Sequence, residues 1–155
     1  MAAAVLVVAV VVAVLLWLRD TPPPPRERAY LAYTACLLTP SNGVADPDAA
    51  PAWSALQEVS LSTRAKVQYL AISGPQTLEN ALTFVNSLAA SGCDLIFAAG
   101  PLPVQAVAKG AATFPDRRFV TLGGTAAANI STVNAAAPHD EIVRLVADGV
   151  RAATP

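Results

Sequence analysis

A single histidine, His139, and two cysteines, Cys36 and Cys93, are the chain's whole supply of imidazole and thiol groups for metal or nucleophile chemistry. Metal centres draw their ligands in close pairs. These three are dispersed, so no metal and no cofactor is expected. His139 stands between Pro138 and Asp140 at an expected helix start, where it is a solvated loop residue. No nucleophile sits in a strained elbow or beside a base, so the chain does not read as an enzyme. Gly123-Gly124 lacks the third glycine of a dinucleotide fingerprint and follows the fourth strand, not the first. Asn129-Ile130-Ser131 has the form of an N-glycosylation acceptor. What remains is hydrogen-bonding chemistry in loops, carried by Thr39, Ser41, Asn42, Asp46, Ser73, Gly100, Thr125 and Asn129. Hydroxyls, amides, a carboxylate and exposed backbone suit the recognition of a small solute. Each of these residue types also forms turns and helix caps without any ligand.

Those residues converge only if the elements between them build a parallel sheet. Residues 92–124 read GCDLIFAAGPLPVQAVAKGAATFPDRRFVTLGG. Residues 94–99 are a short apolar run stopped by Gly100, as in a strand buried on both faces. Val104, Val107, Ala108 and Ala111 recur at helical spacing, and residues 119–122 form a second apolar run. Strand, helix and strand in about thirty residues is the right-handed crossover unit of parallel sheets.

The rest extends the pattern. Residues 30–38 read as the first strand, closed by the turn formers 39–43. Asp48 and Pro51 suit a helix start, with Trp53, Leu56 and Val59 on its buried side. Residues 67–72 read as the second strand. Ser73 and Gln76 have capping-box spacing ahead of an amphipathic helix bearing Leu78, Ala81, Leu82, Val85, Leu88 and Ala89, stopped by Gly92. Residues 130–135 supply a fifth strand. Asp140 and Glu141 open a last helix with Ile142, Leu145, Val146 and Val150 toward the sheet. The expected fold is α/β: a doubly wound, mostly parallel, flavodoxin-like five-stranded sheet of order 2-1-3-4-5. Ligands of such sheets bind beyond the carboxyl ends of the strands, where the order reverses between strands one and three.

Residues 2–18 (AAAVLVVAVVVAVLLWL) are uninterruptedly apolar. Seventeen residues make a helix of roughly 25 Å, at the short end of what spans a bilayer. No small-residue cleavage site follows, and Trp17 and Arg19 stand where interface anchors belong, so an uncleaved anchor fits better than a secretory signal. The expected domains are an anchor at 1–18, a proline-rich linker at 19–28 (Pro22 to Pro25 favour a stiff spacer), and one α/β lobe at 29–155. Arg19, Arg26 and Arg28 follow the apolar run and none precedes it, which by itself leaves the lobe in the cytoplasm. A net charge of −1 with scattered basic residues makes nucleic acid an unexpected partner.

Asp94-Leu95-Ile96, Gly100, Ala106-Val107-Ala108, and Phe114-Pro115-Asp116 followed by Phe119-Val120 carry a resemblance. In order and spacing they resemble the basic membrane lipoprotein family, the nucleoside-binding branch of type I periplasmic solute-binding proteins. The resemblance covers about residues 35–122. It implies one lobe of a two-lobed clamshell, an extracytoplasmic domain at the cell membrane, a small solute, and an ABC-type transporter or other envelope protein as partner. An extracytoplasmic lobe reconciles with the arginines if a basic leader precedes Met1. The family's helix motif W-x-G-L is met by Trp53-Ser54-Ala55-Leu56. Its preceding Phe-Asn pair, which stacks on and hydrogen-bonds a nucleobase, falls on Asp48 and Ala49 and is lost. Tyr33-Thr34-Ala35-Cys36 is only faintly like a lipid-attachment box and lies within the first strand.

Two functions follow: binding or sensing a solute, with the half-cleft completed by a second copy or a partner, or a non-catalytic envelope scaffold that has lost its ligand. With strands one and three ending level, Cys36 and Cys93 come out roughly 13 Å apart at ~3.3 Å per residue. That exceeds the reach of about 7 Å for a disulfide, so free thiols are expected. A polar strand-end face predicts a monomer or weak dimer. Without the stacking aromatic and the second lobe, nucleoside affinity falls by roughly a thousandfold. Calorimetric titration with adenosine, inosine and guanosine is therefore expected to show no binding at micromolar concentration. A dissociation constant near 1 μM for any of them would contradict the alignment.

Overall fold

The computed structural model describes residues 29–153 together with Val14 and Trp17. The expected anchor and linker therefore lie almost wholly outside the described residues. Among the described residues no helix is long and apolar enough to cross a membrane.

Five strands, β1 (Thr34–Thr39), β2 (Lys66–Ala71), β3 (Leu95–Ala98), β4 (Arg118–Leu122) and β5 (Ile130–Val133), form one sheet of order β2-β1-β3-β4-β5. Every pairing is parallel, so the sheet is wholly rather than mostly parallel. Four helices, α1 (Ala50–Thr63), α2 (Leu78–Ala90), α3 (Pro101–Gly110) and α4 (His139–Ala153), cover it. α1 packs with α4 on one face and α2 with α3 on the other. Residues of β1 alternate between two cores: Ala35 and Leu37 face α1 and α4, whereas Cys36 and Leu38 face α2 and α3. A strand buried on both sides needs the near-continuous apolar run that β1 and β3 carry. β2, at an edge, alternates more loosely and leaves Tyr69 half exposed, its ring edge-on to Trp53 at 5.3 Å. Trp53 is accordingly half-buried, not fully inside as its spacing suggested.

The cap of α2 differs from the sequence reading. Thr77 is the N-cap and its hydroxyl accepts from the Asn80 backbone N–H at 3.3 Å. Ser73 to Gln76 belong to the preceding loop, where the Gln76 amide donates to Ile72 and Gly74 carbonyls. Pro75 is compatible with either start. Thr77 wins because its extended φ/ψ leaves its side chain free to reach the first turn.

The cysteines are not free. Cys36 and Cys93 form a disulfide with Cα atoms 5.9 Å apart. β1 and β3 pair almost as expected, Cys36 lying opposite Ile96. β3 does not extend back to Cys93. The ladder reaches only Asp94, whose N–H donates to the Thr34 carbonyl. Gly92, at φ +85°, turns the chain out of α2, and Cys93 leans over β1 on the α2 side. Both cysteines are fully buried, and the Gln68 amide of β2 lies 3.2 Å and 3.6 Å from their sulfurs.

The bond closes a loop of 57 residues, which in the chain-entropy account destabilises the unfolded state by about 4 kcal/mol. Replacing both cysteines by alanine is expected to lower unfolding free energy by about 2–4 kcal/mol in urea, and alkylation of the denatured, unreduced chain should find no thiol. Two labelled thiols would contradict the pairing.

Candidate functional site

At the carboxyl end of the sheet the connections from β1 and β3 part in opposite directions, because β1 passes to α1 on one face and β3 to α3 on the other. A crevice must open between them. It is occupied by a cleft of about 220 Å³ lined by Asp48, Gly100, Pro101, Val104, Leu122, Gly124 and Ala135. Asp48 comes from the loop after β1, Gly100 and Pro101 from the junction of β3 with α3, and Leu122 and Gly124 from the end of β4.

Two glycines shape this cleft. Gly100 has φ +91° and Gly124 φ +88°. A Cβ at Gly100 would lie 2.7 Å from Pro40 Cγ, and one at Gly124 would lie 2.9 Å from Val104 Cγ1. Neither position tolerates a side chain without movement of its neighbour. Gly100 also serves as N-cap of α3, its carbonyl accepting from the Val104 N–H at 3.1 Å.

Of the eight candidates taken from the sequence, Gly100 alone lines the cleft. Thr39 is fully buried, and its hydroxyl donates to the carbonyls of Pro40 and Leu70. Asp46 builds the entry to α1: its carboxylate accepts from the Asp48 N–H at 3.0 Å, and its carbonyl accepts from Ala49 and Ala50. Ser41 and Asn42 are exposed on the same loop, and Asn42 makes no side-chain cap. Ser73 follows the edge strand β2, its carbonyl held by the Asn80 amide at 2.7 Å. Thr125 is exposed after β4. Asn129 sits at the opposite end of the sheet, immediately before β5. Its amide donates to the carbonyls of Ala111, Phe114 and Arg117, joining the end of α3 to the start of β5. The amide nitrogen that a glycan would need is thus engaged three times. The β4–β5 connection runs the full depth of the sheet, so a residue late in that loop belongs to the amino end.

In sequence Asp48 is part of a helix start and stands where the resembled family has an aromatic. No described residue makes an ion pair with its carboxylate or donates to it. His139, by contrast, is not a bare loop residue: its Nε2 is 2.8 Å from Glu58, which ties α4 to α1 on the surface.

A larger cleft of about 420 Å³ lies at the amino end, against Leu95, Arg118, Ser131, Asp148 and Gly149. Beside it the Tyr33 hydroxyl, 3.3 Å from where a Gly149 Cβ would stand, is buried with no hydrogen-bond partner among the described residues. Burial, and secondarily the Asp94 charge, push its pKa up to about 12, with Arg118 opposing. This cleft lies beneath a helix carboxyl terminus, whereas the loops that diverge around the order reversal converge on the smaller one. We therefore assign the candidate site to the carboxyl end.

No protein-family model matches the sequence, and no curated protein matches it significantly. Several solved structures share the fold. An ABC transporter solute-binding protein from Aeropyrum pernix K1 superposes with a TM-score of 0.54 at 19% identity, over 64% of this chain and 28% of that one. A fragment from Peptoclostridium difficile 630 classed as a lipoprotein superposes at 0.60 and 14% identity, over 78% of this chain and 97% of that one. A transcriptional activator of the comK gene from Bacillus halodurans gives 0.53 and 19% identity, over 64% and 33%. The chain therefore has a periplasmic-binding-protein-like fold and spans little more than a quarter of the length of the Aeropyrum protein.

Replacing Gly100 by alanine should destabilise the lobe by about 2 kcal/mol, from the left-handed φ together with the Pro40 contact. Gly92→Ala, with the same sign of φ but open space around it, should cost about 1 kcal/mol. Urea denaturation of the two variants compares them, and equal costs would contradict the close approach at Gly100.

Proposed function

We propose that this chain is a single solute-binding lobe, held at the cell membrane by residues 2–18 and working outside the cytoplasm for an ABC-type transporter. The observation that carries the reading is the cleft at the β1/β3 order reversal, on a sheet whose fold is that of solute-binding proteins. The motifs around Asp94, Gly100 and Phe114 support the finer kinship to the basic membrane lipoprotein family. The buried disulfide supports an oxidising compartment, since such bonds persist outside the cytosol and rarely within it.

The cleft is too small and too open to bury most of a solute alone. Ligand sites usually enclose most of the ligand surface in about 300–1,000 Å³. A second wall, from another copy of the chain or from a transporter or envelope protein, completes it in this reading. Its role is capture and delivery, with no bond made or broken.

The test is retention. The purified oxidised chain, incubated with a small-molecule extract and desalted, should hold a solute identifiable by mass spectrometry. It should also melt higher with that solute present, since saturation at a hundredfold excess over Kd stabilises by about 2.7 kcal/mol. No retained solute and an unchanged melting temperature would leave the scaffold function instead.

A further inference from the structure

The chemistry around the cleft narrows the class of solute. We infer that it is a small organic cation, an ammonium-bearing molecule whose counter-charge is the Asp48 carboxylate; this rests on the solute-binding reading above. Four independent observations converge on it.

The first is what the helix start lacks. Helix N-termini attract anions because their first N–H groups point outward unpaired. α3 begins Pro101-Leu102-Pro103, and proline has no N–H. The next N–H, that of Val104, is already bonded to the Gly100 carbonyl. Leu102 is left as the one first-turn donor, so the usual cradle for phosphate or carboxylate is dismantled.

The second is charge. The connections that leave the carboxyl ends of the strands carry no lysine or arginine but hold Asp46 and Asp48, and the helix starts beyond them add Glu79, Asp140 and Glu141 together with Arg144, which pairs with Asp140 at 3.7 Å. Arg64, Lys66, Lys109, Arg117, Arg118 and Arg151 lie toward the other end, where Asp94, Asp116 and Asp148 partly balance them. Acids in first turns answer helix dipoles, which accounts for Glu79, Asp140 and Glu141. Asp48 precedes α1, and its carboxylate instead stands 3.9 Å from the point where a Gly100 Cβ would be, facing the cleft. It has no cationic partner among the described residues.

The third is a buried hydroxyl. Thr121 is only 2% exposed, and its Oγ1 has no hydrogen-bond partner among the described residues. That oxygen is 3.8 Å from the missing Cβ position of Gly124, behind the wall that Gly124 and Val104 form. Buried hydroxyls are nearly always paired, and this one, a layer behind the residues that line the cleft, is left to be met by water or by a bound molecule. A carboxylate oxygen and a hydroxyl oxygen both accept hydrogen bonds, and an ammonium group has only donors. The fourth observation is that Pro101, Val104, Leu122 and Ala135 make the remaining walls apolar, suited to a short hydrocarbon stem.

The experiment uses the full oxidised chain, isotopically labelled, in octyl glucoside. Amide spectra are recorded during titration with butylammonium chloride, butanol or sodium butyrate at matched ionic strength. Butylammonium is expected to shift the Gly100 and Gly124 amides saturably, and butyrate to leave them unmoved. Asp48→Asn should weaken butylammonium binding about fivefold, the scale of one partly exposed charge pair. Thr121→Val, which keeps the side-chain shape, should weaken it without changing the ligand-free spectrum beyond its neighbours. Equal or stronger binding of butyrate or butanol at those amides would overturn the charge assignment and leave the solute cleft standing. Unchanged affinity in both variants would do the same. Failure of all three probes to move Gly100 or Gly124 would overturn the inference and the cleft reading together.

Discussion

Everything in this lobe depends on β1 lying in the middle of a parallel sheet while being first in the chain. Its neighbours are β2 on one side and β3 on the other, so the connections leaving β1 and β3 must go to opposite faces. Leu37 and Leu38 are each fully buried, one in each core. This strand cannot shift by one residue without exchanging the two cores, because a one-residue slip turns every side chain over. The disulfide adds a covalent brace between β1 and the turn that feeds β3. The cleft at the carboxyl end is thus a consequence of topology, and its floor is set by the most constrained strands of the molecule.

The walls of the cleft follow from a few residue types. Gly100 and Gly124 take backbone conformations that side chains avoid, and each lies against a neighbour that a Cβ would meet. Prolines at the start of α3 fix its direction and also silence its anion-binding donors. Asp48 then contributes an unbalanced negative charge at the rim. Burial gives the lobe its stability, while the differences that matter for recognition come from these few polar and backbone features.

The fold was legible because its signals are periodic. Apolar runs closed by glycine at 100 and 123 mark strands that have no polar face, and the spacing of Val85, Leu88 and Ala89 marks a helix lying on them. The strand order followed from crossover geometry. Local chemistry was harder to read. Ser73 and Thr77 both precede a helix with a suitable partner, and only backbone conformation decides between them. An ideal strand would hold the two cysteines too far apart, but Gly92 turns the chain before Cys93 and brings it over the sheet. Asn129 sits in a loop that begins at the carboxyl end and finishes at the amino end, so its position in sequence concealed its place in space. Asp48 carried no signal beyond that of a helix-start residue, since a carboxylate facing a cleft and one capping a turn look alike in sequence.

Hydrogen exchange in the oxidised chain tests the central claim, that braced central strands hold the carboxyl-end crevice in place. Amides of β1 and β3 should exchange only through global unfolding, while those of the edge strands β2 and β5 should exchange through smaller openings. Reduction of the disulfide should speed β1 and β3 far more than β5. If β1 and β3 exchange as fast as the edge strands in the oxidised chain, the crevice has no rigid floor and the account fails.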